Sequence, residues 1–397
     1  MPKKKKFKDL DMPSNKEEKE DNKESEESNI KNSSVINNNV FYIKKSKEEG
    51  FVGNPKSWFK NKDFYKDLPG KSDIAHEKDY YFNSYSNFNI HEEMIKDKVR
   101  TGTYQKAILD NKEIFEGKIV LDVGCGTGIL STFAVKAGAA HVYGIEYADI
   151  ADYAKEIIKK NKMDGKITVI QSKVEETELP VKEVDIIISE WMGYFLLYES
   201  MLDTVIFARD KWLKKGGLMF PDRAQLFVAA LEDDFFKYKK IDSWKDVYGV
   251  KMSSVIKPAV SEPLIDVCNP KNVISNICKI FDVDLCKVRV EELDFVSGYE
   301  IDVNQNNKFN ALVSWFDVIF QNVPNPITLK TGPFSEPTHW KQVVFYLEKE
   351  VSVRKGQKIR GNIAVIKDKK NFRFINAKIS YHFEDKCGDC VHMYKIC

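Results

Sequence analysis

The stretch KIVLDVGCGTGIL at 118–130 decides the fold, because a buried strand runs directly into a glycine-rich turn and then into a helix. Glycines stand at 124, 126 and 128, and the helical sequence GILSTFAVKAG continues to Gly138. A second strand, HVYGIE at 141–146, ends in an acid, Glu146. In βαβ units an acid at this place accepts hydrogen bonds from the hydroxyls of a ribose. The stretch therefore predicts a βαβ unit that binds a nucleoside-containing ligand.

The residues that follow continue the alternation of helices and strands. IADYAKEIIKKNK at 150–162 is typical of an amphipathic helix, and KITVIQ at 166–171 and VDIIIS at 184–189 of buried strands. A further helix is predicted from near Glu199 to about Leu213. This order predicts a Rossmann-like, doubly wound parallel sheet over 117–220, whose ligands bind beyond the carboxyl ends of the strands.

The spacing of the glycines indicates which cofactor binds. The pattern is G-x-G-x-G with Asp122 just before it, whereas dinucleotide sites have G-x-G-x-x-G, with the third glycine one residue later. An acid before the turn suits an ammonium group better than a pyrophosphate. The pattern favours S-adenosylmethionine over NAD, while a turn that serves only helix packing is the structural alternative. Upstream, Arg100 could clamp a carboxylate of the cofactor, or it could be an exposed helix charge.

The two acids of ISEWMGYFLLYESM at 188–201 raise a separate question. Glu190 and Glu199 stand nine residues apart among aromatic and apolar side chains. Neither a helix nor a strand brings residues at this spacing to one face, so the two carboxylates can meet only if the chain doubles back. Gly193 lies between them, and we expect it to permit the reversal.

Beyond Pro221 the pattern changes to that of an antiparallel β domain over 221–397. Segments rich in β-branched and aromatic residues recur between turn residues, at 224–230, 311–320, 341–353 and 374–383. The aromatic stretch DDFFKYKKIDSWKDVYG at 233–249 follows no strand pattern. We expect it to need a second surface to cover it, either its own domain or another subunit.

Charge and composition bear on partners and location. The net charge of +2, from 62 basic and 60 acidic residues, gives no overall electrostatic reason for nucleic-acid binding. The chain has no apolar run long enough for a bilayer and no apolar core of a secretory signal near its start, and its seven cysteines are scattered. A soluble intracellular protein is expected. Residues 1–75 resemble a disordered tail, in which Lys3–Lys6 could be a nuclear-import patch or a solvated charge run.

Motifs spread along the chain resemble those of one enzyme family. YYFNSYSNFNIHEEMIKDKVRT at 80–101, VLDVGCGTGIL, GIE, VDIIISEWMGY with LLYESML, FPDRA and THW at 338–340 occur in the order seen in type I protein arginine N-methyltransferases. The resemblance runs from about Asp79 to the C-terminus. It implies a helical cap at 76–116, a cofactor domain and a β-barrel domain. It also implies a homodimer, formed through an arm at about 233–252, and such dimers could assemble into larger oligomers.

The resemblance also implies an activity and its setting. The expected cofactor is S-adenosylmethionine, and the expected substrates are Arg/Gly-rich proteins and histone tails. The expected products are monomethyl and asymmetric dimethyl arginine, with location in cytoplasm and nucleus. No direct nucleic-acid or membrane partner is implied. Two other classes stay open on the residues alone, namely a catalytically inactive scaffold with the same fold and, less favoured by the glycine spacing, a nicotinamide-dependent oxidoreductase.

Site residues follow from the resemblance position by position. The implied catalytic residues are Glu190, Glu199, His339 and Asp97, and His339 is expected to pair with Asp97 across the domain boundary. The implied cofactor-binding residues are His91, Arg100, Asp122, Gly124, Gly126, Glu146, Val174 and Glu175. The implied lining of the active site is Tyr81, Tyr85, Met94 and Met201, although the two methionines could equally be core packing, and His339 a satisfied histidine at a strand edge. No metal is expected, because CGDC at 387–390 with His392 lacks a second ligand pair and suits a hairpin turn better.

Overall fold

The structure is a computed structural model that describes residues 77–383 and 390–397. The predicted tail at 1–75, including Lys3–Lys6, lies outside the described residues, as do 387–389 of the CGDC motif. Among the described residues, no helix combines the length and the apolar character needed to cross a bilayer.

From residue 77 onward, four helices precede the first strand and form the helical cap. They are α1 (Glu77–Tyr85), α2 (Phe88–Lys96), α3 (Lys98–Leu109) and α4 (Lys112–Phe115). Asp97 separates α2 from α3 and caps the latter, since its Oδ1 accepts a hydrogen bond from the main-chain N–H of Arg100 at 2.9 Å. The inner face of α3 buries Tyr104 and Ile108 completely. This packing fixes the C-terminal half of the cap on the cofactor domain.

The described strands between residues 119 and 220 form one parallel sheet. They are β1 (Ile119–Val123), β2 (His141–Glu146), β3 (Ile167–Gln171), β4 (Val184–Ile188) and β5 (Leu213–Phe220), in the order β3-β2-β1-β4-β5. Helices α5 (Ile129–Lys136), α6 (Ile150–Lys160) and α7 (Met201–Trp212) connect them. The predicted Rossmann-like sheet is confirmed. Because β1 and β4 are neighbours, with Asp122 opposite Ile188, the glycine-rich turn and the segment holding Glu190 leave the sheet side by side.

The strands after Pro221 pair antiparallel, as the sequence predicts. They are β6 (Arg223–Leu231), β7 (Leu264–Asp266), β8 (Cys278–Asp284), β9 (Phe295–Asp302), β10 (Asn307–Phe320), β11 (Ile327–Lys330), β12 (Gln342–Val353), β13 (Lys358–Lys367), β14 (Ile375–Phe383) and β15 (Cys390–Ile396). In the described part of the chain one sheet has the order β7-β12-β10-β6-β8, with β11 beside β10, and the other has the order β15-β14-β13-β9. Together they form the β-barrel domain. Strands β14 and β15 pair antiparallel across the CGDC segment, with Tyr381 opposite Cys390.

One continuous core joins the two domains. Its buried apolar side chains come from the parallel sheet and from both antiparallel sheets, for example Leu121, Ile187, Phe316, Ile363 and Tyr394. A hydrogen-bonded contact adds to it, because Asn111 of the cap donates to the carbonyl of Asn325 at 3.1 Å and accepts from its main-chain N–H at 2.7 Å. The cap and the barrel domain therefore pack against the same hydrophobic core.

The aromatic segment 233–249 projects from the barrel domain as helical turns. It comprises α8 (Asp234–Lys240) and a 3₁₀ turn at Asp242–Lys245, and a short helix α9 (Ile256–Ser261) follows. Asp233 anchors the segment, since Oδ1 caps α8 at Phe236 N–H and Oδ2 accepts from the Tyr346 hydroxyl at 2.7 Å. Its outer side chains stay uncovered, with Phe235, Tyr238 and Tyr248 exposed by 61, 62 and 102%. Within the described chain, these three side chains are not covered by their own domain, whereas Ile241 of the same segment is buried against it.

Candidate active site

A cavity of about 260 Å³ opens at the carboxyl edge of the parallel sheet. Its walls come from helices α1 and α2 of the cap, the glycine-rich turn after β1, the end of β2, the segment after β4, and two loops of the barrel domain around His339 and Arg373. Parallel α/β sheets bind ligands at this edge, because the loops that leave neighbouring strands diverge there. All parts of the chain that carry the predicted motifs, except FPDRA at 220–224, therefore meet at one cavity.

The chain reverses between Glu190 and Glu199, as the spacing requires. The N–H of Gly193 donates to the carbonyl of Leu196 at 3.1 Å, and both glutamates line the cavity. The sharp bend, however, lies at Phe195 and Leu196, which have φ values of 51° and 65°. Gly193 is required for another reason: a Cβ there would stand 2.1 Å from the carbonyl oxygen of Tyr198. The predicted hairpin is present, but its glycine permits close approach rather than the turn itself.

Glu190 forms a buried ion pair with Arg100. Its Oε2 accepts hydrogen bonds from Nε and Nη2 of Arg100, both at 2.7 Å, and the two side chains are only 7 and 9% exposed. Nη1 of Arg100 donates to the carbonyl of Met94 at 3.2 Å. Arg100 is therefore not an exposed helix charge, and it lies against one of the predicted catalytic acids. The pair fixes one carboxylate at the wall while leaving its second oxygen outside these bonds.

Glu199 is held differently, by a tyrosine of the cap. The hydroxyl of Tyr85 donates to its Oε2 at 2.7 Å. Burial raises the pKa of Glu199 to about 7, and the Tyr85 hydrogen bond and the charge of Arg373 oppose this rise, whereas Glu190 adds to it. Two carboxylates in one cavity thus differ in environment, because Glu190 has a cation bound to it and Glu199 a neutral hydroxyl.

His339 and Asp97 form a contact between the barrel domain and the cap. Oδ2 of Asp97 lies 2.8 Å from Nδ1 of His339 and accepts from the main-chain N–H of His339 at 2.9 Å. Burial raises the pKa of Asp97, but the hydrogen bonds from His339 and from the main chain of Arg100 outweigh it and leave the pKa below its usual value. Asp97 is therefore an ionised partner for His339, and only the histidine of the two reaches the cavity wall.

The other half of the cavity is built around the glycine-rich turn and Glu146. Glu146 lies at the end of β2, where its two oxygens accept from the main-chain N–H groups of Gly126 at 2.9 Å and Ala148 at 2.8 Å. Burial raises its pKa despite these bonds. A Cβ on Gly124 would stand 2.3 Å from Cε of Met201, so the turn packs closely against the start of α7. Glu175 also faces the cavity and accepts from the hydroxyl of Thr204 at 2.7 Å.

The structure brings all but two of the predicted site residues to the cavity wall. Besides Asp97, the exception is Asp122, which is fully buried behind the turn and accepts from the Ser131 hydroxyl at 2.6 Å. Burial raises the pKa of Asp122 to about 6, against the effect of Ser131. The members at the wall are Tyr81, Tyr85, His91, Met94, Arg100, Gly124, Gly126, Glu146, Val174, Glu175, Glu190, Glu199, Met201 and His339. Both methionines therefore line the cavity.

Sequence reasoning missed Arg373, which reaches the same wall from the barrel domain. It is one of only seven arginines in the chain, and this scarcity was the available signal. Among residues 77–383 and 390–397, no three His, Cys, Asp or Glu side chains are grouped so that they could hold a metal ion.

Comparison with known proteins assigns this geometry to a family. Residues 222–386 match the model of the arginine methyltransferase oligomerization subdomain, and residues 106–246 match that of ribosomal protein L11 methyltransferase. Protein arginine N-methyltransferase 8-B of Danio rerio is 51% identical over 321 residues, covering 80% of this chain and 77% of that protein. The chain belongs to the protein arginine N-methyltransferases. Protein arginine N-methyltransferase 1 of Schizosaccharomyces pombe is 52% identical over 309 residues, which cover 78% of this chain and 91% of the relative.

Solved structures agree with this membership. The Trypanosoma brucei PRMT1 enzyme-prozyme heterotetrameric complex with AdoHcy matches with a TM-score of 0.77 and 38% identity, covering 79% of this chain and all of that one. Arabidopsis thaliana protein arginine methyltransferase 10, in an open conformation, matches with a TM-score of 0.70 and 32% identity over 79% of this chain and 98% of its own. The resemblance to the type I protein arginine N-methyltransferases is thereby confirmed, and so is the assignment of the chain as an enzyme of that family.

Proposed function

We propose that this protein arginine N-methyltransferase uses S-adenosylmethionine to methylate arginine side chains of Arg/Gly-rich proteins and histone tails, giving monomethyl and asymmetric dimethyl arginine. The observation that carries the proposal is the pair Glu190 and Glu199, which a short hairpin places at one cavity beside the glycine-rich turn and Glu146. A guanidinium is a planar cation with donors on three nitrogens, so two carboxylates can hold it at the same time.

The two acids have distinct tasks in this proposal. Each accepts N–H bonds from the substrate guanidinium and thereby orients one terminal nitrogen, and each charge-assisted bond contributes about 1.5–3 kcal/mol. Glu190 already holds Arg100 through one oxygen, which leaves the other for the substrate. The carboxylate of Glu199 accepts a hydrogen bond from the Tyr85 hydroxyl through Oε2, which leaves Oε1 for the substrate. The pull of both carboxylates localises positive charge away from the accepting nitrogen, which then acts as the nucleophile.

The residues at the other half of the cavity fit the cofactor. Glu146 has an ionisable carboxylate at the place where a ribose binds in this fold, and each of its oxygens keeps a lone pair beyond its main-chain bond. Arg100 is the cation for the carboxylate of the cofactor, with His91 beside Gly126 and with Val174 and Glu175 further along the wall. Asp122, behind the turn, keeps Oδ1 without a hydrogen-bond partner in the described residues. Bound S-adenosylmethionine supplies a methyl group on a sulfonium centre.

A proton must leave the substrate nitrogen, and in this proposal Glu199 is its first acceptor. Its pKa of about 7 is matched to proton transfer near neutral pH, whereas Glu190 is paired with Arg100. The ring of His339, oriented by the ionised Asp97, stands at the same wall and can pass a proton outward. In this scheme Asp97 acts through His339 and makes no contact with the substrate.

Incubation with radiolabelled S-adenosylmethionine and an Arg/Gly-rich peptide tests the activity directly. We expect label in the peptide, and mass spectrometry should identify monomethyl and asymmetric dimethyl arginine. A lysine-for-arginine version of the peptide is the control and should remain unlabelled. Cofactor binding without any label would instead favour an inactive scaffold, and symmetric dimethyl arginine would overturn the proposed product.

Substitution of the two acids tests the site. Glu190→Gln and Glu199→Gln should each abolish methyl transfer while most of the affinity for the cofactor remains. Neither acid is a predicted cofactor contact, and Arg100 keeps its charge for the cofactor carboxylate when its partner Glu190 is neutralised. Glu336→Gln, on an exposed loop of the barrel domain, is a matched control that should keep full activity. Near-normal turnover of either cavity variant would remove that carboxylate from the mechanism.

We further propose that the segment 233–249 forms a homodimer by covering a second copy of the chain. The chain carries the family's oligomerization subdomain, and Phe235, Tyr238 and Tyr248 present uncovered aromatic faces. Deleting the whole segment would also remove the anchor at Asp233, so the sharper test is to change Phe235, Tyr238 and Tyr248 together to Ser. Analytical ultracentrifugation should then show a monomer. Phe334→Ser, an equally exposed change elsewhere, should leave the dimer intact, and a dimer in the triple variant would place the interface elsewhere.

Location is proposed to be cytoplasm and nucleus, where the expected substrates occur. Imaging of the tagged chain, with Lys3–Lys6 intact or changed to Ser, would test it. Loss of nuclear signal in the changed chain would assign import to the lysine run, and an equal distribution would assign it to another part of the protein.

A further inference from the structure

Three separate parts of the protein meet at Arg373, in the loop that precedes β14. Its guanidinium carbon lies 3.5 Å from the ring centroid of Tyr81 in the cap, and Nη1 donates to the carbonyl of Glu199 at 2.7 Å. The carbonyl of Arg373 itself accepts from the N–H of Glu199 at 2.8 Å. Arg373 of the barrel domain thus binds both the N–H and the carbonyl of Glu199, and it stacks on Tyr81 of helix α1.

The main chain at Glu199 needs such support. Glu199 and Ser200 have φ values of 75° and 55°, a left-handed conformation that L-residues with side chains adopt at a cost of about 1–3 kcal/mol. The neighbouring loop residue completes the support, because the Ser200 hydroxyl donates to the carbonyl of Phe372 at 2.6 Å. This unusual backbone directs the Glu199 carboxylate to the Tyr85 hydroxyl. Without the contacts to the loop, the chain could relax and turn the carboxylate away.

We propose that Arg373 is a positioning residue for arginine methylation, because it holds the main chain of Glu199 and the ring of Tyr81 in the arrangement that receives the substrate guanidinium. The proposal rests on the proposed function. Arg373 acts through Glu199 and the cap, and it is not required to touch the substrate.

The charge of Arg373 adds an electrostatic effect to the geometric one. The guanidinium lies at the cavity wall beside Glu199, where it opposes the rise in the pKa of that acid that burial causes. The other ionisable groups that act on Glu199 come from the cap, the hairpin and the barrel domain, and they are Tyr85, Glu190 and His339. Arg373 itself is acted on by Tyr81, Glu199, Tyr85 and Glu175. Removing its charge therefore favours the protonated form of Glu199.

The test compares Arg373→Gln and Arg373→Lys with the parent chain. Arg354→Gln is the matched control, because Arg354 is an exposed arginine of the same domain. With saturating S-adenosylmethionine and an Arg/Gly-rich peptide, Arg373→Gln should lower kcat at pH 7 by about ten- to hundredfold, as expected for the loss of one charge-assisted hydrogen bond. It should also move the pH–rate profile to higher pH. Arg373→Lys should keep the parent profile and recover part of kcat, while affinity for S-adenosylhomocysteine changes less than about twofold in either variant.

Hydrogen–deuterium exchange supplies a readout that needs no activity. Arg373→Gln should speed exchange in the hairpin peptide 195–202 and in the cap peptide around Tyr81, and Arg354→Gln should not. Unchanged exchange in these peptides, or unchanged kcat and pH profile, would overturn the proposal. A parallel loss of cofactor affinity and thermal stability in both Arg373 variants would show a general structural role instead. If the parent chain labels no peptide, the proposed function fails, and the exchange result still decides whether Arg373 holds the hairpin.

Discussion

Removing the hydroxyl of Tyr85 should shift the pH dependence of this enzyme in a calculable direction. Tyr85→Phe deletes the 2.7 Å hydrogen bond to Oε2 of Glu199 and leaves the ring in place. That bond stabilises the ionised carboxylate, so its loss must raise the pKa of Glu199 further above its value of about 7. The free enzyme at neutral pH would then hold a proton where the proposed function requires a negative charge.

The size of the effect follows from the strength of such a bond. A hydrogen bond to a charged group contributes about 1.5–3 kcal/mol, and 1.36 kcal/mol corresponds to one pKa unit, so the pKa should rise by roughly one to two units. With a pKa of about 7, half of Glu199 is ionised at pH 7. After the rise, only about 1–10% would be ionised at this pH. We therefore expect kcat/KM for an Arg/Gly-rich peptide to fall roughly five- to fiftyfold at pH 7 and to approach the parent value near pH 9.

The assay is kcat/KM between pH 6 and pH 9.5, expressed as the ratio of variant to parent at each pH. The ratio cancels any ionisation of the substrate, which is common to both enzymes. Tyr194→Phe is the matched control, since it removes a hydroxyl from the same cavity wall and leaves the bond to Glu199 intact. A ratio that is low but constant with pH would refute the electrostatic reasoning, because it would mean that the hydroxyl acts by geometry alone.

Three further variants test the structure around the site. Gly193→Ala should disorder the hairpin and abolish activity, since its Cβ would overlap the carbonyl of Tyr198, and loss of turnover with retained cofactor affinity would check this. Glu199→Gln should raise the free energy of unfolding by up to about 3 kcal/mol at pH 8, because burial raises the pKa of Glu199 in the folded state to about 7 from 4.5 and the charged carboxylate then destabilises the fold. Below about pH 4.5 the carboxyl group is protonated in both states and this cost is absent. Chemical denaturation at pH 8 and at pH 4 should therefore show the gain only at pH 8. Asp97→Ala should lower the free energy of unfolding by about 1–3 kcal/mol, because it removes a helix cap and the partner of His339. Urea unfolding measures this, and an unchanged midpoint would contradict it.

Much of the fold could be predicted because its signals are local. The strand at 141–146 and the glycine turn depend on residues next to each other in the chain, and the structure reproduces that strand at His141–Glu146. The meeting of Glu190 and Glu199 could also be predicted, since the periods of helix and strand excluded every arrangement except a reversal. The prediction named Gly193 as the bend, whereas Phe195 and Leu196 have the left-handed backbone. A left-handed backbone is expected at glycine, and only the tertiary structure shows where other residues have this conformation.

Most contacts between distant residues could not be predicted from the sequence. The Arg100–Glu190 pair joins residues 90 apart, and the bond from Arg373 to Glu199 joins residues 174 apart. No periodic pattern relates such positions. The resemblance implied one contact of this kind, the pairing of His339 with Asp97, and the structure confirms it at 2.8 Å. The resemblance assigned Arg100 to the cofactor and Glu190 to the substrate. The structure adds that these two side chains share one buried ion pair, so the two halves of the cavity are electrostatically connected.

The continuous core has a consequence for how this protein can be divided. Side chains such as Leu121 of the parallel sheet and Phe316 of the barrel belong to one buried cluster, so a cut near Pro221 would expose apolar surface on both pieces. The cofactor half is thus not a module that could be expressed alone or transplanted between relatives. Scanning calorimetry of residues 77–397 should show a single cooperative transition rather than two. A substitution in the core of either domain therefore affects the stability of both. Substitutions that change substrate preference are tolerated more readily in the loops around the cavity than in the sheets beneath it.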